Sequence, residues 1–453
     1  MTVTINQSVR GPEQILAEVR SNKMSKFQIV TVTIALLMVV LDGFEVGIMA
    51  FAAPQIQEQL GISPDILGYV LSGSLFGMAI GSIFLTPLAD RFGRRPLTLA
   101  MLTLIVVGMA LTLTAPTALW LIVWRIVTGL GIGGMMANLN ALVAEYSSDK
   151  RRTTAIAIYA AGYPIGATVA GFIARPLIPQ YGWHSMFIAG TILAVVALIG
   201  AFALLPESLD YLLGRRPNRA LDRVNKILGK MNVAPLDALP ERTNTEEDRV
   251  STKNTIREVL SPPTLRLTMA LWLGYALLVA AYYFANTWIP TILTNVSGDP
   301  QLGTTMGIGA NLGGVLGCFV FAALAIRFSG RHLLFITLFA AAAAYIIFGM
   351  VFSIIPVAIM VGFVLGVLTT GAIAGFYAVA PTIYSSKARA TGIGWMIGIG
   401  RLVSVAAPII VGYILAAGAE PEKVFLYFSI PLIIAGVAAL TLLLGRTKAT
   451  LAG

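Results

Sequence analysis

Residues 85–102 read LTPLADRFGRRPLTLAML, and a degenerate copy, FAALAIRFSGRHLLFITL, occupies residues 321–338. In each copy a basic turn separates two long apolar segments. At an offset of 236 residues the copies match Arg91 with Arg327, Phe92 with Phe328 and Arg95 with Arg331. A second, shorter repeat, YSS at 146–148 and at 384–386, has nearly the same offset. The chain is therefore expected to consist of two related halves.

Composition places the chain in a lipid bilayer. Of its 453 residues, 57% are hydrophobic and 11% are charged, whereas a soluble domain carries about 25% charged residues. So few charges cannot cover a soluble surface, which argues against soluble enzymes and nucleic-acid-binding proteins. The only cysteine, Cys318, excludes an internal disulfide and a cysteine-based metal site. We expect no metal and no cofactor.

Apolar segments of about 20 residues recur along the chain, each long enough as a helix to cross a hydrocarbon core of about 30 Å. Because unpaired backbone cannot face lipid, and because the segments are too long and too apolar for barrel strands, they are predicted to be helices. Twelve spans are predicted, at residues 27–51, 64–88, 97–115, 118–144, 153–174, 185–205, 267–293, 303–326, 333–352, 354–382, 389–416 and 422–444. The predicted fold class is an all-α membrane protein with twelve transmembrane helices in two pseudo-symmetric six-helix halves.

The distribution of Lys and Arg predicts the orientation, because short cytoplasmic loops retain positive charge. Of the 31 Lys and Arg residues, 27 lie in the termini and in the loops of one face. The loops of the other face hold only Arg175 and Lys423, and the remaining two lie inside predicted helices. Both termini of this multi-pass chain are therefore expected on the cytoplasmic side of the cell membrane. The net charge of +10 needs no nucleic-acid partner.

These spans also predict the domain boundaries. The chain divides into a cytoplasmic tail, a six-helix half, a cytoplasmic linker, a second six-helix half and a cytoplasmic tail, at residues 1–26, 27–205, 206–266, 267–444 and 445–453. Basic and acidic residues nearly balance in the linker. Amphipathic spacing at 221–228 predicts a short helix on the membrane surface or on the underside of the bundle.

Several motifs resemble a known family. The loop LADRFGRRP (88–96), its degenerate copy, and PES (206–208) resemble the major facilitator superfamily over essentially the whole chain. LDGFE (41–45), an arginine in a Gly-rich fourth span, and KARATGIGWMIGIGR (387–401) resemble its aromatic acid:proton symporter branch. Two departures are Glu45 and Ile326, which stand where the branch has aspartate. The resemblance implies a monomeric transporter that imports an aromatic acid together with protons.

Charged residues within the membrane are the strongest functional candidates, because each is costly unless it is paired or hydrated. Asp42 and Glu45 share one face of the first span, at i and i+3. Arg125 and Arg401 lie at comparable depths, which makes an ion pair between Asp42 and Arg125 geometrically available. Adding one proton to these four charges leaves a net charge of +1, which attracts an anion. We predict that Asp42 and Glu45 couple protons to a small organic anion, with Arg125 as the first candidate to bind its carboxylate and Arg401 as the second.

Aromatic side chains of the second half are candidates for the rest of the binding site. They can stack on a planar ring and hydrogen-bond a hydroxyl group. The predicted substrate-binding residues of this kind are Tyr275, Tyr282, Asn286, Phe376 and Tyr377. Trp288 is instead expected to be an anchor at the membrane interface.

The basic loop between the second and third spans is predicted to gate transport. A positive-inside preference explains its arginines but not Asp90. We expect salt bridges at the cytoplasmic ends of the helices, with Glu145 as a partner and Gly93 in the tight turn. By resemblance, Arg389 serves the same purpose in the second half. The predicted gating residues are Asp90, Arg91, Gly93, Arg94, Glu145 and Arg389.

Other interpretations remain open. The four membrane charges can be structural ion pairs that hold helices in register. The solute can be a non-aromatic organic acid or a polar metabolite, and an exporter is a further alternative. GxGxxG at 129–134 lies in an apolar helix without a preceding strand, which favours helix packing over nucleotide binding. We find no catalytic acid–base pair and predict that the chain is not an enzyme.

Overall fold

In the computed structural model, residues 12–239, 252–385 and 388–445 are described. The helices in chain order are α1 (Pro12–Ser21), α2 (Lys26–Leu60), α3 (Pro64–Ile80), α4 (Ala89–Phe92), α5 (Arg94–Thr112), α6 (Ala118–Tyr146), α7 (Asp149–Tyr181), α8 (His184–Leu204), α9 (Leu209–Arg215), α10 (Ala220–Lys230), α11 (Thr252–Val259), α12 (Pro262–Ser297), α13 (Pro300–Leu324), α14 (Gly330–Val351), α15 (Ile355–Val379), α16 (Arg389–Ala416) and α17 (Pro421–Leu444). A π-helical turn, Gly81–Leu85, and a 3₁₀ turn, Thr86–Leu88, extend α3, and a 3₁₀ turn, Ala380–Thr382, follows α15.

The predicted architecture of twelve long helices is confirmed. Within the described part of the chain, eleven helices are long and apolar enough to cross a membrane. The remaining predicted span, 153–174, lies in α7, which has 33 residues and is the least apolar of the long helices. Three internal prolines and a charged first turn explain its lower hydropathy. Since α7 packs along α2 and α13, much of it is shielded from lipid by protein.

Each half is a bundle of six long helices, and the halves meet mainly along three helix pairs. In the first half, α2 packs on α7 and α6 packs on α3 and α5. In the second half, α13 packs on α15, and α17 packs on α12 and α14. The largest contacts between the halves are α3 with α16, α7 with α13 and α2 with α12, and α2 also contacts α13. Side chains on α2, α7, α12 and α16 therefore meet near the centre of the molecule.

Helix α2 carries both predicted coupling carboxylates, and its ends are well defined. Ser25 and Gln28 form a capping box. The Gln28 backbone N–H donates to Ser25 Oγ at 3.3 Å, and the Ser25 backbone N–H donates to Gln28 Oε1 at 2.8 Å. Gly61 ends the helix in the left-handed conformation, with φ of 59°. A Cβ atom on Gly43 would lie 1.8 Å from the Tyr163 carbonyl oxygen. This glycine thus allows α2 and α7 to approach closely next to the site.

The bundle has two faces. The basic face is the one where α2 begins and α17 ends, and it carries α4 and the linker helices. The opposite face carries the other ends of these spans. The amphipathic linker segment forms α10, whose buried Val224 and Leu228 belong to the protein core. The Lys230 ammonium lies 4.9 Å from the centre of the Phe27 ring. Helix α10 is therefore held against the underside of the bundle.

Candidate functional site

Glu45 and Arg125 form an ion pair inside the first half. Glu45 is completely buried and Arg125 is 1% exposed. Ser74 Oγ lies 2.9 and 3.0 Å from the two Glu45 carboxylate oxygens and donates a hydrogen bond to them. The Arg125 guanidinium lies 5.8 Å from the centre of the Phe187 ring. This cluster on α2, α3 and α6 forms a closed pocket of opposite charges.

Close helix packing builds this pocket. A Cβ atom on Gly129 would lie 2.0 Å from the Ser74 carbonyl oxygen, so α3 and α6 are in contact at that point. Gly73 likewise lies beside the Cβ atom of Arg125. The Gly-rich run of α6 thus serves helix packing, as the sequence predicts, and brings Ser74 and Arg125 toward the same carboxylate.

The predicted pair between Asp42 and Arg125 is wrong for this conformation. Arg125 binds Glu45 instead, because residues three apart on a helix differ in direction by about 60° and the longer glutamate reaches α6. Asp42 is only partly buried, and its Oδ1 atom has no hydrogen-bond partner in the described part of the chain. The charged side chains that act on Asp42 are Arg401 and Glu45. The carboxylate thus faces the other half of the molecule.

Arg401 on α16 supplies the positive charge opposite Asp42. Its side chain is partly buried, and it makes no ion pair within 4.0 Å in the described ranges. The surroundings of the two arginines therefore argue against the expected order, in which Arg125 is the first candidate to bind the solute carboxylate. Arg125 is enclosed and paired, whereas Arg401 lies between the halves with its guanidinium available.

Tyrosines surround Asp42 and Arg401. Asp42 acts electrostatically on a group of tyrosines from α7 and α12, namely Tyr159, Tyr163, Tyr282 and Tyr283. The Asn286 side-chain amide donates to the Tyr163 hydroxyl at 3.3 Å and so links α12 to α7. Three of the predicted aromatic-site residues, Tyr275, Tyr282 and Asn286, thus lie on the α12 side of this region. Sequence reasoning missed Tyr159 and Tyr163, although their spacing of four residues in YAAGY places both on one face of α7.

The two predicted substrate-binding residues on α15, Phe376 and Tyr377, lie in different environments. The hydroxyls of Tyr377 and Tyr275 share a hydrogen bond of 3.0 Å, and Tyr377 is 42% exposed. Phe376 is completely buried, and its ring packs edge-on against Tyr275 at 5.7 Å. Tyr377 therefore lines open space, while Phe376 supports Tyr275 from behind.

Trp288 is not an interfacial anchor. It is 1% exposed, and its indole nitrogen donates to the Pro408 carbonyl oxygen at 3.1 Å. Pro408 lacks an N–H group, so the hydrogen bond that it removes from α16 is the one to the Ser404 carbonyl oxygen, while its own carbonyl oxygen accepts from Trp288. Trp288 therefore ties α12 to α16 in the interior.

The two halves are in direct contact at the opposite face. Hydrogen bonds join the halves on the opposite side, where Ser72 Oγ donates to the Val405 carbonyl oxygen at 2.8 Å and the hydroxyls of Tyr69 and Tyr413 share one of 3.1 Å. Toward the basic face, Trp395 is 51% exposed on α16. The conformation is thus closed at the opposite face.

A second polar cluster lies at the basic face of the first half. Glu207 Oε1 accepts hydrogen bonds from the backbone amides of Arg94 at 2.8 Å and Arg95 at 3.1 Å. The Arg94 guanidinium pairs with Glu145, whose second oxygen accepts from Ser208 Oγ at 2.8 Å. The turn before α5 places Arg94 there, since Gly93 has a φ of 102°. Sequence reasoning did not give Glu207 or Ser208 a role, although the PES motif contains both.

The other predicted gating residues lie apart from this cluster. Asp90 and Arg91 are exposed and make no ion pair within the described part of the chain. The Arg91 guanidinium lies 5.4 Å from the centre of the neighbouring Phe92 ring. Arg389 is exposed at the first position of α16. In this conformation, therefore, only Arg94, Glu145 and the turn at Gly93 belong to one network.

Comparisons with known proteins agree with this architecture. The sequence model of the Major Facilitator Superfamily matches residues 35–354. The 4-hydroxybenzoate transporter PcaK of Pseudomonas aeruginosa is 29% identical over 94% of this chain and 95% of its own length. The gallate transporter of Pseudomonas putida is 28% identical over 98% of both chains. The benzoate transport protein of Acinetobacter baylyi is 26% identical over 91% of this chain and 89% of its own.

Solved structures show the same fold at low identity. The xylose transporter XylE from E. coli, in a partially occluded inward-open conformation, has a TM-score of 0.66 at 14% identity and covers 91% of this chain and 98% of its own. A bacterial homologue of the human lysosomal transporter Spinster, in an inward-facing conformation, has a TM-score of 0.68 at 16% identity and covers 94% and 100%. Both are membrane transporters rather than enzymes.

Proposed function

Because the chain belongs to the Major Facilitator Superfamily, we propose that it is a proton-coupled symporter that imports a small aromatic carboxylate, of the benzoate or hydroxybenzoate type. The solute class is supported by relatives that are similar to nearly the whole chain and are transporters of 4-hydroxybenzoate, gallate and benzoate. The observation that carries the proposal is the position of Asp42. Among the described residues, Asp42 Oδ1 on one half has no hydrogen-bond partner, and Arg401 on the other half, which makes no ion pair there, acts electrostatically on this carboxylate.

Charge balance supplies the coupling. With Asp42 ionised, its charge offsets that of Arg401, and an anion gains little by entering. A proton on Asp42 leaves the guanidinium of Arg401 uncompensated, so the solute carboxylate binds it through charge-assisted hydrogen bonds. Binding of proton and anion is therefore mutually favourable, because coupling between two sites is reciprocal. The accompanying proton also removes the cost of moving an anion against the membrane potential, about 2.3 kcal/mol per charge per 100 mV.

Glu45 and Arg125 take a supporting role in this scheme. Their pair is neutral, enclosed and hydrogen-bonded to Ser74. Burial of Arg125 favours Arg401 as the group that anchors the solute. The pair fixes the rotation of α2 relative to α6, which keeps Asp42 directed toward the interface between the halves.

The aromatic ring of the solute fits the tyrosine-lined space. Tyr377 is the most exposed of these rings, whereas Tyr275 and Tyr282 are nearly buried. The hydroxyls of Tyr163 and Tyr377 each make one hydrogen bond within the protein and can make a further one to a phenolic substituent. Stacking and hydrogen bonding of this kind suit a planar hydroxylated acid. Phe376 supports the ring of Tyr275 from the second layer.

Transport follows from rocking of the two halves about this site. The present conformation releases solute toward the basic face, which the positive-inside preference identifies with the cytoplasm. The network around Arg94 and Glu145 would hold the ends of the first-half helices together during the motion, with Asp90, Arg91 and Arg389 engaging when the basic face closes. A single chain contains both halves of the site, so a monomer suffices.

Uptake into proteoliposomes tests the proposal. Labelled benzoate and 4-hydroxybenzoate should accumulate when the outside is acidic and should not accumulate without a proton gradient. Asp42→Asn should abolish the response to the gradient, whereas Ser74→Ala, which changes only the hydrogen bonding of Glu45, should leave it in place. Accumulation that ignores the gradient would reject symport. Failure with every aromatic acid, together with uptake of an aliphatic acid or a polar metabolite, would support the alternative solute class.

A further inference from the structure

A cavity lies at the opposite face, away from the site described above. Its volume is about 530 Å³. Its walls are the ends of α2 and α7 from the first half and the facing ends of α12 and α13 from the second. Asp42, Arg401 and the tyrosines around them do not line it. It is a separate space, built by both halves.

The lining combines an apolar floor with polar walls. Phe51 and Pro290 form part of the floor, and Phe51 is almost completely buried. Side-chain amides of Gln55, Asn295 and Gln301 line the walls. Gln55 Oε1 is buried without a hydrogen-bond partner in the described part of the chain. Such an orphaned acceptor is satisfied by a water molecule or by a hydrogen-bond donor of a ligand.

The cavity also holds an available positive charge. The basic residues that the charge distribution assigns to this face are Arg175 and Lys423. The Lys423 ammonium pairs with Glu420 at 3.1 Å. Arg175 lines the cavity and makes no ion pair among the residues that the structure describes. Glu58, at the rim, supplies the opposing negative charge.

We propose that this cavity is a peripheral binding site for a small organic anion with a flat apolar body. The guanidinium of Arg175 binds the carboxylate, the body lies against Phe51 and Pro290, and the amides satisfy its polar edges. Binding pockets of this composition, mostly apolar with a few convergent polar groups, are typical of small-molecule sites.

The site exists only when the opposite face is closed. The Gln301 side-chain amide donates to the Arg175 carbonyl oxygen at 3.1 Å and so joins α13 to α7 across the cavity wall. Separation of the halves at this face would pull the walls apart. An anion bound here therefore stabilises the closed arrangement and opposes reopening, which makes the site inhibitory from that side.

Protection of an introduced thiol tests the proposal directly. Asn295 is exposed at the cavity, so Asn295→Cys in a Cys318→Ser background provides a single reporter. The protein is placed in lipid nanodiscs, where both faces are accessible, and the rate of maleimide labelling is measured against benzoate concentration. Benzoate is expected to slow labelling, and the neutral isostere benzamide is expected to have no effect. The choice of benzoate as probe rests on the proposed function, but the readout requires no transport.

Matched variants separate the peripheral site from the central one. Arg175→Gln should raise the benzoate concentration for half-protection about tenfold or more, because a charge-assisted hydrogen bond is lost. Arg175→Lys should retain most of the protection, and Glu58→Gln should strengthen it about two- to fivefold by removing a repelling charge. Arg401→Gln should leave protection unchanged. Protection that disappears in Arg401→Gln and persists in Arg175→Gln would overturn the proposal, as would equal protection by benzamide or none by benzoate.

Discussion

Asp42 and Glu45 lie one helical turn apart on α2, yet their surroundings differ. Glu45 is enclosed within the first half, where Arg125 and Ser74 satisfy both of its oxygens. Asp42 lies between the halves, with the charge of Arg401 opposite and one buried oxygen that has no hydrogen-bond partner among the described residues. A carboxylate that is fully paired within one rigid unit has no reason to change protonation during rocking. A carboxylate between two moving units can change protonation during this motion, because its charged partner moves relative to it.

The enclosed pair should dominate stability. Arg125→Met leaves a buried, unpaired carboxylate, and breaking a buried pair costs about 3–5 kcal/mol. The double variant Arg125→Met/Glu45→Gln should recover most of this loss, because neither residue then carries a buried charge. Thermal unfolding in detergent, followed by tryptophan fluorescence, measures both.

Arg401→Met is the control, because Arg401 is partly buried and lies between the halves. Its unfolding temperature should change far less than that of Arg125→Met. If the two single variants are destabilised equally, the distinction between an enclosed and an open site is wrong.

Solute affinity should depend on the open site. Arg401→Gln removes charge-assisted hydrogen bonds worth about 1.5–3 kcal/mol, which corresponds to a rise in KM for uptake of about 10- to 100-fold. Arg401→Lys keeps the charge but loses the bidentate geometry, so its KM should lie between those of wild type and Arg401→Gln. Initial rates of 4-hydroxybenzoate uptake provide the measurement. A KM unchanged in Arg401→Gln would return Arg125 to the position of first candidate.

Proton coupling should depend on Asp42 alone. For one proton per anion, each unit of pH difference can drive about a tenfold accumulation, since a factor of ten in proton activity is about 1.4 kcal/mol. Asp42→Asn should reduce this ratio to one while exchange of labelled for unlabelled solute continues.

Ser74→Ala, which removes only a hydrogen bond to Glu45, should keep the full accumulation ratio. Loss of gradient-driven accumulation in Ser74→Ala, at normal expression and exchange, would assign the titrating role to the enclosed carboxylate instead.

The contrast between the two carboxylates also shows where sequence reasoning succeeds and fails. Hydropathy and helix length suffice to predict the twelve spans, because a bilayer permits few alternatives. The rarity of charge in the membrane likewise selects Asp42, Glu45, Arg125 and Arg401. Their pairing depends on the rotation of α2 and on the extra methylene of glutamate, neither of which follows from depth along the helix.

Contacts made by kinked or closely packed helices likewise could not be predicted from the sequence. Trp288 resembles an interfacial residue by its place near the end of a span, but a hydrogen bond to the Pro408 carbonyl oxygen on α16 holds it inside. The roles of Tyr159 and Tyr163 depend on the close approach of α7 to α2. That approach is possible because Gly43 has no side chain. The sequence of α2 alone does not identify α7 as the helix that packs against this glycine.

The smallest expected effect concerns the hydrogen bond that crosses the interface at the level of the site. Asn286→Leu removes the donor to Tyr163 and nothing within either half, and a bond of this type contributes about 0.5–1.5 kcal/mol. The population closed at the opposite face should therefore fall about two- to tenfold relative to the open one. Tyr377→Phe, which removes a bond within the second half, is the matched control and should leave the balance unchanged.

Spin labels at Ser63→Cys and Ala417→Cys in the Cys318→Ser background, one on each half near the opposite face, report the separation as a distance distribution. A larger separation in Asn286→Leu only would show that this contact belongs to the interface that moves. An equal shift in Tyr377→Phe would mean that packing within the second half, and not the contact between halves, sets the balance.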